Sequence, residues 1–474
     1  MKLNLFQTNT TQEASKRIIA RLKELKDDNA QHYFIVPDRF TLSFEREICQ
    51  KVFEKGCINV DVVSFTRLAT KLLGAKLKKC LSKEGTVILL NKVIMQNNDK
   101  LIYYKDLASY SFAKELFAAI ASLRDSKISY LDLQQSLPNL TGVTKEKLTD
   151  IALIYSAYTK ALGKNYVDTI SRIDYLIDNV KNLSVIPSSH IYIYGFNIYS
   201  AQQLALIKEF IKHAKSVNIA YAYDSGGINH YLFIKRQMDE LARFCAQSGI
   251  PYNEIQSIER LNPPFAQLHR TLFGYEKDAL KLDIESRNKV VFYVEDNPYE
   301  EIRSVAKEIN FLVKNKNYRY KDIAIVINDD NYIRIVKEIF TRVDIPYFAD
   351  VKYFIKDSLA VRYINDLLEA VAEKFAVDKI FTLIHSPLCN LSRKEIECFE
   401  NYVLKYNINY TSFVKPFVLG DYGDAEKVRK KVEKLLFRVP KGNCTVSQYV
   451  EFVLEELSQN DIKERKMYHE QERN

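Results

Sequence analysis

Tryptophan is absent from the 474 residues, and none of the seven cysteines forms a C-x-x-C pair. Cys49, Cys57, Cys80, Cys245, Cys389, Cys398 and Cys444 are odd in number and widely scattered. That pattern fits reduced thiols in a cytosolic protein and argues against a metal or iron–sulfur site in this stretch. The seven histidines, His32, His190, His213, His230, His269, His385 and His469, are dispersed without metal-ligand spacing. No G-x-S-x-G or H-E-x-x-H motif occurs, so the common hydrolase signatures are missing. The opening MKLNLFQTNTTQEASKRI puts polar residues where a signal peptide needs an apolar block, and nowhere do about 18 apolar residues run uninterrupted. The expected location is the cytoplasm, with no membrane partner. Repeats with a period of about 20 to 50 residues and low-complexity tracts are also missing.

What is present is the composition of a folded soluble protein, 47% hydrophobic and 27% charged, which supports packed cores over most of the length. At roughly 100 to 200 residues per domain, the length implies three or four units. The net charge of +9 permits a polyanionic partner without demanding one.

Apolar runs set the architecture. KLNLF, HYFIVP, NVDVVSF (59–65) and IPSSHIYIYGF (186–196) read as strands, and HAKSVNIAYAY adds a fifth. Continuous apolar runs bounded by turn residues suit strands buried on both faces, hence a parallel sheet with helices on either side. Between the third and fourth strands lies a helical stretch of more than a hundred residues with no convincing strand, too long for a loop and best read as an inserted domain. A second unit follows the polar stretch YEKDALKLDIESRN: strand KVVFYVED (289–296), a helix, strand DIAIVIND (322–329), then a helix and IPYFAD. From about Arg362 the sequence is helical, and it stops at KMYHEQERN without a closing signal, so a longer parent chain is expected.

Four blocks carry a family resemblance: FIVPDRFTLSFEREI (34–48), VVSFTRLATKLL (62–73), HIYIYGFNIYSAQQL (190–204) and YRYKDIAIVINDDNYIRIVKEIFTRVDIPYFAD (318–350). In order and at compatible spacing they resemble the AddB/RexB family, the non-motor half of the AddAB and RexAB helicase-nucleases. The resemblance implies an α/β fold of two RecA-like parallel-sheet lobes of superfamily-one helicase type, each with a helical insertion. The first lobe would comprise residues 1–74 and 185–285, interrupted by an insertion at 75–184; the second would cover 286–362, followed by a truncated insertion at 363–474. It further implies a parent of about twice this length, whose missing C-terminal half would carry the nuclease, its iron–sulfur cluster and magnesium. The partners implied are single-stranded and double-stranded DNA and an AddA/RexA-type motor subunit in a heterodimer.

A nucleotide-hydrolysing lobe needs a glycine-rich loop after its first strand, because glycines let backbone N–H groups close around phosphate. Residues Phe6 to Lys16 contain no glycine there, and Lys16 reads as an exposed helix residue. The acidic residue that would hold magnesium at a strand end is also missing, because IYIYGF runs into Asn197. No catalytic, nucleotide-binding or metal residue is therefore expected, and the lobe reads as retained for binding.

Arg39 and Thr41 follow the second strand, Phe65, Thr66 and Arg67 the third, and Phe196 and Tyr199 the fourth. In a parallel sheet these three turns meet on one carboxyl edge, where hydroxyls, arginines and aromatic faces suit a single strand of DNA. Competing readings stand beside these. Phe40 and Phe65 serve equally as core residues; Arg67 could pair with Asp61; Asp38 caps the helix starting near Thr41. Tyr199, in a polar turn, is expected to be the exposed aromatic. Thr70 occupies the position where hot-spot-recognising members carry a large aromatic, which favours general over sequence-specific strand binding. KVRKKVEKLLFRVPK (427–441) and the group Lys76, Lys78, Lys79 and Lys83 read as solvated basic faces, with DNA or partner contact as the alternative. Two other function classes remain open: an active helicase with a nonstandard nucleotide site, and an assembly module without direct DNA contact.

Overall fold

The structure is a computed structural model that describes residues 2–26, 28–53, 58–74, 79–163, 166–168, 170–223, 232–258, 265, 290–329, 331–349, 358–440, 442 and 444–459. Cys57, Lys76, Lys78, His230, His269, His469 and the stretch YEKDALKLDIESRN lie outside the described residues. The chain divides into two compact units, Met1–Val291 and Phe292–Asn474.

The first unit is built on a six-stranded parallel sheet. Its strands are β1 (Leu3–Thr8), β2 (Gln31–Ile35), β3 (Val60–Val63), β6 (Ser189–Tyr194), β7 (Ser216–Ala222) and β8 (Tyr252–Ser257). They lie in the order β3-β2-β6-β7-β1-β8, and every ladder is parallel, with Leu5 opposite Ile219 and His32 opposite His190. All six residues of β1 are buried, as expected for a strand covered on both faces. On one face α1 (Thr11–Leu25) and α2 (Thr41–Val52) pack Ile18, Leu22, Phe44 and Ile48 against Phe6, Phe34 and Tyr192. On the other, α3 (Phe65–Leu73), α8 (Ser171–Asn179), α9 (Ala201–His213) and α10 (Leu232–Gln247) close over Leu3, Leu5, Ile191, Ile193 and Ile219. This is the α/β, parallel-sheet architecture the apolar runs implied.

The inserted domain contains α4 (Lys83–Gln96), α5 (Tyr110–Asp125), α6 (Tyr130–Ser136) and α7 (Gly142–Leu162), with a core of its own around Leu90, Ile94, Phe117, Ile120 and Tyr158. The insertion is not free of strands, however. Two short ones, β4 (Lys79–Cys80) and β5 (Tyr166–Val167), pair in parallel and tie its two ends together. Two residues each leave no periodicity to read. Strand β8 is equally hard to see in the sequence, because YNEIQS is an edge strand with mostly exposed, polar side chains.

In the second unit, α11 (Pro298–Asn315) and α12 (Asn331–Arg342) share a small core of Ile302, Ile309, Ile339 and Phe340. A larger core joins α13 (Leu359–Ala372), α14 (Val377–Ile384), α15 (Arg393–Lys405), α16 (Gly423–Arg438) and α17 (Val446–Gln459). The runs at 290–296 and 323–329, read as strands, carry no ladder among the described residues, and Val294 is 97% exposed. Apolar patterning supplies a buried face, but a strand also needs a hydrogen-bonded neighbour. Among the described residues, no helix is long and apolar enough to cross a membrane.

Candidate functional site

Three of the parallel strands, β3, β2 and β6, are neighbours, so the turns that follow them must lie side by side. Their side chains meet accordingly. Arg67 Nε stands 3.4 Å from the carboxylate of Asp38, joining the turns after β3 and β2. Phe65 and Phe196 rings are 5.3 Å apart, and Phe196 and Tyr199 5.4 Å, joining the turns after β3 and β6. Gly195, at φ +86°, closes the third side: a Cβ there would meet Pro37 Cδ at 3.2 Å. Only glycine combines that backbone with that approach.

The rim sorts the candidate residues by exposure. Arg39 is exposed, and the Arg67 and Asp38 side chains are each 63% exposed. Thr66 and Phe196 are half-buried. Thr41 is buried and its hydroxyl donates to the Asp38 carbonyl at 3.0 Å. Phe65 belongs to the core at 3% exposure. Tyr199 reverses the expectation: it too is 3% exposed, because its ring is drawn between Phe65 and Phe196. Gln237 grips its backbone from both sides, accepting from its N–H at 2.9 Å and donating to its carbonyl at 2.7 Å. Burial pushes the Tyr199 hydroxyl pKa up. The exposed apolar positions on this rim are instead Phe40, at 45%, and Ile198.

Local structure explains how these side chains are aimed. Ser64 caps α3, accepting the Arg67 N–H, so Thr66 and Arg67 emerge from its first turn. Asp38 does not cap α2; the residue before that helix is Phe40, with no side-chain cap. Asp61 is engaged by Lys71 and by Gln31 at 2.7 Å, which leaves Arg67 to Asp38. An exposed pair of this kind contributes little, ~0 to 1 kcal/mol, so a phosphate can compete for Arg67. Arg172 reaches Thr70 Oγ1 at 3.4 Å from α8 and adds a cation beside α3 that a separation of 102 residues concealed.

Where a phosphate loop would sit, after β1, the space is already used. Thr10 caps α1, and Glu13 lies in that helix's first turn, accepting from Ser257 Oγ at 2.7 Å and pairing with Arg17 at 2.9 Å. Lys16 stands 3.8 Å from the same carboxylate. The cavity beside Gln7, Thr8 and Asn9 measures about 60 Å³, against ~300 Å³ or more for ligand pockets. A carboxylate on the helix's positive end occupies what an anion would seek.

At the opposite strand ends, Ser216, His190 and Asp28 line up, with 2.6 Å from Ser216 Oγ to His190 Nδ1 and 3.1 Å from His190 Nε2 to Asp28. The geometry resembles a catalytic relay, but Ser216 and His190 are buried, and the serine also accepts from Asn218 at 3.0 Å. Every polar atom is already engaged, so the group is structural. His32 stacks on His190 at 5.3 Å, and burial together with that ring pushes its pKa down to about 4.

The iron–sulfur cluster of the family resemblance does not fit the thiols described. Burial pushes Cys245 up to about 11 and Cys389 up to about 12, disfavouring the thiolate a metal needs. Among the described residues no group of three or more His, Cys, Asp or Glu is placed to hold a metal. The basic run on α16 turns partly inward: Arg429 is buried against Glu426 and Glu433, and Lys431 pairs with Glu395.

Comparison with known proteins adds the family. The model described as "ADDB, N-terminal" matches residues 7–270. Bacterial proteins named as the second of the subunits of an ATP-dependent helicase/deoxyribonuclease are similar over most of the chain. The one from Clostridium kluyveri is 28% identical over 94% of this chain, that from Clostridium novyi 26% over 86%, and that from Alkaliphilus metalliredigens 26% over 86%. The matches cover 40%, 37% and 36% of those relatives, so the chain spans less than half their length.

Proposed function

The chain belongs to the family described as ADDB, N-terminal, and from that premise we propose that it forms part of the non-motor subunit of a bacterial helicase-nuclease that processes broken DNA ends. In this reading the first unit holds and guides single-stranded DNA across the rim of its sheet, contacts the motor subunit and hydrolyses no ATP. The setting is the cytoplasm. Double-stranded DNA, the heterodimer, and the nuclease with its iron–sulfur cluster and magnesium belong to the proposal for the whole parent protein.

One observation carries the reading: the turns after β2, β3 and β6 meet with Arg39 and Arg67 exposed beside the half-buried ring of Phe196. Cations for phosphate and an aromatic edge for bases are the parts a sequence-tolerant strand site uses. The glycine-free turn after β1 and the small, Glu13-blocked space beside it support the absence of ATP hydrolysis. Equilibrium binding of a fluorescent oligo-dT to the purified chain tests this. Arg39→Ala and Arg67→Ala are each expected to weaken binding about threefold to tenfold. Unchanged affinity in the double variant would remove the rim from consideration and favour an assembly role.

A further inference from the structure

A cavity of about 750 Å³ opens in the first unit between α4, α5 and the head of α9, a volume within the range of small-ligand sites. We propose that it receives a nucleobase swung out of the single strand held on the neighbouring rim; the inference rests on the strand-binding reading above.

Four features point to a base. The floor is apolar, formed by Val87, Phe117 and Ala121, which suits a planar ring and excludes a phosphate. Tyr110, 49% exposed at the mouth, offers a stacking face. Three helices start at the mouth, where Lys83, Tyr110 and Ala201 are the first residues of α4, α5 and α9. Their positive ends, together with Lys83 and Lys114, suit the phosphates that flank an inserted base. The carboxylates Glu84, Glu115 and Asp125 also line the space; they would repel a buried phosphate but can accept hydrogen bonds from the amino groups of a base.

Continuity with the rim selects the occupant. Tyr199 is common to both: its ring packs on Phe65 and Phe196, and it lines the cavity with Ser200 and Ala201. Gln237 fixes its backbone, so that wall is set before any ligand arrives. Its buried hydroxyl has no hydrogen-bond partner among the described residues, an unmet polar group of the kind a ligand satisfies. A strand lying over Arg67 and Phe196 thus has an aromatic-lined recess beside its path.

The test is photocrosslinking of the 474-residue chain to a single-stranded oligonucleotide with one 4-thiothymidine, with the adduct mapped by mass spectrometry. An adduct on the peptide bearing Tyr110 is expected, lost when Ala118→Trp fills the cavity. That variant and Tyr110→Ala should each weaken strand affinity roughly fivefold to tenfold. Adducts confined to residues 39–41 and 65–67, with Ala118→Trp binding normally, overturn the inference and leave the rim reading intact. Loss of motor-subunit association by Ala118→Trp at unchanged strand affinity assigns the cavity to a protein and also overturns it. No adduct anywhere, with Arg67→Ala silent, removes both.

Discussion

His32 shows what a single buried ring does to the whole fold. It is fully buried on β2, its Nδ1 lies 3.0 Å from the Tyr192 hydroxyl, and its Nε2 has no partner among the described residues. The fold holds it neutral, pushed from an ordinary 6.5 to about 4, while the unfolded chain binds a proton throughout that interval. Since the unfolded state carries more protons there, stability rises with pH. It is complete above about pH 6.5 and falls as the pH drops toward 4. The depressed carboxylates act lower, because Glu395 moves from 4.5 to about 2. Urea midpoints for the wild type should therefore drop between about pH 7.5 and 5 by an amount corresponding to ~1 to 3 kcal/mol. His32→Asn should flatten that dependence; an equal slope in the variant would show that another group controls it. Phe65 is a reminder that rim position and rim function differ. Its ring is core, so Phe65→Ala should cost ~3 to 5 kcal/mol in folding and is unsuited to probing binding.

Among the elements, α7 holds the segment leading to α5 through one carboxylate. Asp150, fully buried, accepts the backbone N–H groups of Ile102 at 3.0 Å, Tyr103 at 2.8 Å and Tyr104 at 2.9 Å. Removing it strands three donors in a dry site, so Asp150→Ala should lose about 3 kcal/mol. In native-state hydrogen exchange, amides 102–104 should lose protection before those of β1. Protection unchanged at those amides would disprove the clamp. None of this is legible in the sequence, because Asp150 sits in an ordinary helical run and its partners are 46 to 48 residues away. The strands that position the rim are legible because each is a continuous apolar run ended by Pro37, Ser64 or Gly195, and parallel order forces their turns together. Exposure on the rim is not. Tyr199 stands in a polar stretch, yet Phe65, Phe196 and Gln237 pull it inward, two of them from well over thirty residues away. Phe40 looks like a helix-packing residue and is left outside. Local sequence carries strand identity, whereas side-chain burial depends on the neighbours tertiary structure supplies.

At the scale of the whole molecule, an excess of nine positive charges is too diffuse to identify a ligand, but the salt dependence of binding counts the contacts. Single-strand association should follow log salt with a slope of about −0.7 per phosphate neutralised. Arg39 and Arg67 alone give about −1.4, and Lys83 and Lys114 at the cavity mouth would bring the total to about −2.8. Replacing both arginines by alanine should therefore reduce the slope by about 1.4. Nucleotide supplies the contrasting measurement. A ligand that binds only the folded chain raises Tm in proportion to the logarithm of its saturation. Oligo-dT should raise Tm, less so at high salt, whereas millimolar ATP with magnesium should leave it unmoved, given Glu13 on the head of α1 and a space of about 60 Å³. A Tm raised by ATP would reinstate an active nucleotide site. A Tm raised by neither ligand would leave assembly as the role of this chain, because a strand-holding rim cannot be occupied without stabilising the sheet that presents it.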